Sequence, residues 1–183
     1  MEFAESLKQE VLKYREIEKQ LINDQSVFLE NFYSALLGLI KSTREQNLSE
    51  HISEITFKDE TEHFQRQAKF YVFGFNIKVF APKFVGVDKN LKHYDDRYVS
   101  KIFVVDDSNL VQEICFVGDR KLIAYDRLRR RHSNSIDNPE IYSMLAEDIF
   151  RDLFQTRIFH WSEFSFKALN NPESLGKIGF APD

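Results

Sequence analysis

The stretch RQAKFYVFGFNIKVF, residues 66–80, sets two β-rich runs on either side of a central glycine. Alternation of apolar and polar side chains has period two, which is the strand period. The glycine supplies the positive φ that a tight two-residue turn needs, so the stretch predicts a hairpin. The turn is expected at Gly74-Phe75, with Gly in the first turn position.

Working outward, "ISEITF" at 52–57 alternates in the same way and adds a strand before the hairpin. Beyond it, "APKFVGVDKNLKHYDDR" is polar and irregular. Residues 82–96 are expected to form a loop long enough to cover or bind something. The run from Tyr98 to Leu128 then predicts three meandering strands, with turns at Asp106–Asn109 and Gly118-Asp119.

Helical periodicity brackets this β region. Phe3, Leu7, Val11 and Tyr14 recur at spacings of three and four among charged residues. Phe28, Phe32, Leu36, Leu39 and Ile40 form a broader stripe, which marks a core-facing helix. Between them "NDQS", Asn23–Ser26, offers side chains that favour caps and turns. A helical pair over 3–22 and 26–44 is therefore predicted, with one long bent helix as the alternative. Downstream, Asn138-Pro139 supplies an N-cap and a first-turn proline. Ile141, Leu145, Ile149 and Leu153 then repeat every four residues, predicting a helix over 137–158.

The expected fold class is α+β. An N-terminal helical pair (arm, 1–46) precedes a five- to six-stranded, meander-like antiparallel sheet (51–127), a helix and a tail (159–183), all in one domain. In the tail, "FHWSEFSFKAL" alternates as a further strand would, with a segment that wraps the domain as the alternative. Helices packed on one sheet face let both layers bury their apolar sides.

Composition narrows the function classes. With 183 residues, 43% hydrophobic and 30% charged, the chain is long enough for a full core. Eighteen phenylalanines imply a core or cavity built from large rings. The single cysteine, Cys115, excludes an internal disulfide and predicts a reducing compartment. The charged start "MEFAESLKQE" lacks a secretory h-region, and no segment nears the ~18 consecutive apolar residues of a membrane span. A cytoplasmic protein without membrane contact is expected.

The most pointed functional feature is "YDRLRRRHSNS", residues 125–135. Arg127, Arg129, Arg130 and Arg131 fall within five positions, beside His132, Ser133 and Asn134. Guanidinium groups grip phosphate bidentately, so this cluster, aided by Arg120 and Lys121, is the candidate nucleic-acid or anion site. The competing readings are a solvated edge strand, or ion pairs with the acidic residues Glu140, Glu147, Asp148 and Asp152. Arg130–Ser133 also resembles a basophilic-kinase target. The net charge of −4 is uneven: residues 51–136 carry 15 Lys and Arg against 12 Asp and Glu, whereas the flanks are acidic.

Catalytic signatures are missing. Asp95-Asp96 and Asp106-Asp107 could hold Mg²⁺, but "VVDDSN" is better explained as a turn. The five histidines show no zinc spacing, and His93 is expected to be a solvated loop residue rather than a general base. Alternation places Cys115 with Val111, Glu113 and Val117 on one strand face, as a buried thiol rather than a nucleophile. No glycine-rich phosphate loop occurs, and no cofactor or metal is implied. The first expectation is a non-enzymatic interaction module that binds a protein partner or a second copy, with Leu7, Val11 and Tyr14 on its interaction helix. Alternatives are the arginine-cluster binder above and an aromatic-lined cavity protein using Tyr71, Tyr125 or His93.

Overall fold

The computed structural model describes residues 2–88, 91, 98–107, 109–126 and 131–157. Its first element corrects the predicted helical pair: Glu2–Thr43 is one continuous helix, α1, 42 residues and about 63 Å long. The cap-forming side chains at its middle turn outward to tertiary partners instead of back onto the helix. Asp24 pairs with Arg120, and Gln25 bonds the carbonyls of Pro82 and Lys101. With those groups engaged elsewhere and no Gly or Pro among Asn23–Ser26 to interrupt it, the helix runs on. It closes in a π-type turn, Arg44–Leu48, where Asn47 takes φ 64°. Asparagine tolerates that left-handed conformation.

Among the described residues eight strands follow, rather than five or six: β1 (Thr56–Lys58), β2 (Gln67–Val72), β3 (Phe75–Phe80), β4 (Gly86–Val87), β5 (Tyr98–Val105), β6 (Leu110–Gly118), β7 (Lys121–Tyr125) and β8 (Arg131–Ser135). All pairings are antiparallel, in the order β1-β2-β3-β5-β6-β7-β8. Among the described residues the sheet thus passes residue 127 and its last strand is β8, whose polar side chains carry no alternation signal. β4 lies within the predicted 82–96 loop and pairs with β5 end to end with β3. Between them 81–85 leaves the ladder, at a point where Pro82 has no N–H to contribute.

Both tight hairpins sit one residue away from their predicted positions. Val72 pairs with Phe75, so the turn residues are Phe73 (φ 48°) and Gly74 (φ 95°). Gly118 pairs with Lys121, leaving Asp119 (φ 48°) and Arg120 (φ 56°) in the second turn. Positive φ at both positions is the type I′ geometry that matches strand twist. The Asp106–Asn109 turn is as expected: the Asp106 N–H donates to the Asn109 carbonyl, and Asp106 Oδ1 accepts from the Asn109 N–H at 2.8 Å.

The second helix, α2 (Glu140–Arg157), begins where the sequence placed it, and Asn138 Oδ1 accepts from the Glu140 N–H at 3.1 Å. Its Ile141, Leu145, Ile149 and Leu153 are all buried. Both helices cover the same sheet face, and aromatic rings fill the space between. Phe28 lies 5.4 Å from Phe32, 5.4 Å from Phe116 and 5.2 Å from Tyr142. These rings pack in one core with Ile77, Ile102, Ile114 and Leu122. Among the described residues, no helix is long and apolar enough to cross a membrane. The tail 159–183 lies outside the described residues.

Candidate interaction surface

The apolar face of α1 runs past the end of the sheet. At about 100° per residue, Phe3, Leu7, Val11 and Tyr14 occupy the same helical sector as Leu21, Phe28 and Phe32. The C-terminal members of this stripe are buried in the core, whereas Phe3 is 81%, Leu7 49% and Val11 44% exposed. Tyr14 is the point of departure. Its hydroxyl donates to the Val85 carbonyl at 3.2 Å, and its ring meets Tyr98 edge-on at 5.3 Å. Beyond it about three turns of helix project with their core-type face uncovered among the described residues.

The rim beside Tyr14 is also apolar. Phe84 and Val87, flanking Val85 and Gly86, are exposed. The Phe84 ring lies against Gly86, where an added Cβ would come within 2.8 Å of it. On the sheet face away from the helices, these two residues border a groove of about 450 Å³ floored by Val99, Lys101 and Phe103. The described part of the predicted loop does cover something. Leu91 is buried in a small second core with Val99, Cys115 and Ile123 on this outer face.

An ion cluster lies under the groove. Lys101 Nζ donates to Asp88 Oδ2 at 2.6 Å and to Glu113 Oε1 at 2.7 Å. Burial alone lowers the Lys101 ammonium, but these two bonds outweigh it and hold the group above the ordinary lysine range. Cys115, opposite Lys101 in the β5–β6 ladder, sits 3.6 Å from Glu113 Oε1. Burial first, and the Glu113 carboxylate second, push its thiol up to about 12. The thiol is therefore protonated and unreactive at neutral pH. Asp88, Glu113 and Cys115 bring ligand atoms within 4.8 Å of one another, but Lys101 already supplies the cation between the carboxylates. The sequence signal for this cluster was charge inside apolar strands, Lys101 in "VSKIFVV" and Glu113 in "VQEICFV". Only the register joins them.

The basic residues divide between two places. Arg120, at the β6–β7 turn, reaches Asp137 at 2.7 Å and the buried Asp24 at 3.4 Å, tying α1 to the sheet. Lys121 is exposed and pairs in the ladder with Ser135, whereas Arg131 pairs with Tyr125 four residues along. That separation is about 13 Å. Arg131 and His132 are successive strand residues and point to opposite sheet faces. Ser133 is exposed in the middle of β8. Arg127, Arg129, Arg130, His93, Asp95 and Asp96 lie outside the described residues.

Leu7 and Val11, expected on an interaction helix, are thus exposed neighbours one turn apart, and Tyr14 anchors that helix to the rim. Phe84 and Val87 escape sequence reasoning because nothing in "KFVGVD" distinguishes a rim aromatic from a core one. The chain matches no protein-family model, no curated protein and no solved structure.

Proposed function

We propose that this protein is a non-enzymatic interaction module that docks a protein partner on the projecting part of α1 and the adjoining Phe84–Val87 rim. One observation carries the reading: Phe3, Leu7 and Val11 continue the helix's core-facing stripe yet are left exposed. A helix face of core character gains by removing its apolar area from water, and a partner surface supplies the missing layer. The chemistry at the outer-face cluster favours the same view, since its thiol is protonated and its lysine is held by two carboxylates.

The test compares nuclease-treated affinity purifications of the wild-type chain and a Leu7→Glu/Val11→Glu variant from the source cells. Both side chains are exposed, so the variant is expected to keep its circular dichroism spectrum and melting temperature. A protein retained by the wild type and lost from the variant supports the proposal. Identical retained sets overturn it.

A further inference from the structure

We infer that the occupant of this surface is a second copy of the same chain, joined arm to arm in antiparallel orientation. The inference rests on the interaction reading above and specifies its partner. Ala4, Leu7, Val11 and Tyr14 follow the alternating spacing of three and four that lets two helices interlock, and Leu21 continues it into the protein's own core. The exposed seam is therefore continuous with an interface that α1 already makes with its sheet.

The orientation follows from where the body lies. From Tyr14 onward the sheet occupies the side that the seam faces, because Tyr14 touches Val85 and Tyr98 and Leu21 is buried. A parallel pair would drive two sheets into one space between the helices. In an antiparallel pair each body lies beyond the tip of the other arm, and the contact closes on a two-fold axis. With Leu7 against Val11 of the second copy, Ala4 falls against Tyr14. The tip carrying Phe3 then reaches the rim where the exposed Phe84 ring lies against Gly86. The arm from Phe3 to Lys13 is about 15 Å long, so full overlap ends where the sheet begins.

The experiment uses the purified chain. Sedimentation at micromolar concentration is expected to find a dimer, and Leu7→Glu/Val11→Glu to weaken it by roughly a hundredfold or more, since each change counts twice across the two-fold axis. Separately purified Leu7→Cys and Val11→Cys chains are then mixed and oxidised; Cys115 stays silent because it is buried and protonated. The antiparallel arrangement predicts mixed-composition covalent dimers. Predominant self-pairing of Leu7→Cys chains overturns the orientation, and a monomeric wild type overturns the dimer. If the wild type is monomeric but the Glu variant still loses a protein in affinity purification, the second-copy inference falls while the interaction reading stands. A monomer whose arm resists protease only while residues 158–183 are present assigns the surface to the chain's own C-terminal stretch and also overturns the inference.

Discussion

Gln25 of α1 completes the hydrogen bonding of Lys101 in β5: its Nε2 donates to the Lys101 carbonyl at 2.7 Å and to the Pro82 carbonyl at 3.2 Å. The facing strand is interrupted between β3 and β4, so no ladder bond exists in this gap. A fully buried helix side chain takes the place of a missing strand residue. Ser100 makes a tie beside it, donating to the Leu21 carbonyl at 3.1 Å.

Gln25→Leu keeps the volume and removes the donor. Two partly buried carbonyls then lose a partner, at a cost of about 1–3 kcal/mol. Urea unfolding is expected to show a lower midpoint with an unchanged slope. An unchanged midpoint would mean that the carbonyls are satisfied in another way.

Lys101→Met removes the ammonium that Asp88 and Glu113 share. Because the Lys101 side chain is partly exposed, the expected loss is about 2–3 kcal/mol, below that of a fully buried pair. Adding Glu113→Gln to Lys101→Met is expected to recover part of that loss. A double variant as unstable as the sum of both singles would contradict the coupling.

Cys115 links stability to alkaline pH. Its folded pKa is raised from 9.0 to about 12, so between those values the native state holds a proton that the unfolded state has released. Stability contributed by the protonated thiol is complete below about pH 9 and is lost as pH rises toward 12. Cys115→Ala is expected to show a shallower decline than wild type in denaturation measured from pH 8 to 10.5. Parallel curves would refute the assignment.

Asp24 is raised above its ordinary 3.8, because desolvation outweighs the attraction of Arg120, with Asp137 raising it further. The ionised carboxylate is thus disfavoured by folding, and its stability contribution falls as pH climbs through the folded pKa. Asp24→Asn is expected to melt at least as high as wild type at neutral pH. The advantage should vanish in acid, where Asp24 is protonated in both the folded and the unfolded state. A large loss at neutral pH would show that the Arg120 pairing dominates.

Gly86→Ala tests the rim without touching the core. The new Cβ displaces the Phe84 ring, and because Phe84 is 70% exposed the melting temperature should shift by only a degree or two. Self-association measured by sedimentation should weaken. Unchanged association would remove Phe84 from the interface.

What the sequence determined by itself was local. The period-two runs, the Asp106–Asn109 turn and the Asn138 cap followed by four buried α2 positions all depend on neighbours within a few residues. Their chemistry is therefore legible along the chain. The stripe of Leu7, Val11 and Tyr14 was legible too, but not its exposure, which depends on where the sheet stops. Tertiary structure decided the rest through contacts distant in sequence. Asp24 and Gln25 look like turn residues until Arg120 and Lys101 claim them, and α1 stays unbroken. β8 has a polar sequence and becomes a strand because β7 supplies its hydrogen-bonding partner. Lys101, Glu113 and Cys115 meet only through the β5–β6 register, and the division of the basic residues follows from the β7–β8 register. A side chain's own chemistry states which bonds it can make; the pairing of distant strands decides which partner arrives to make them.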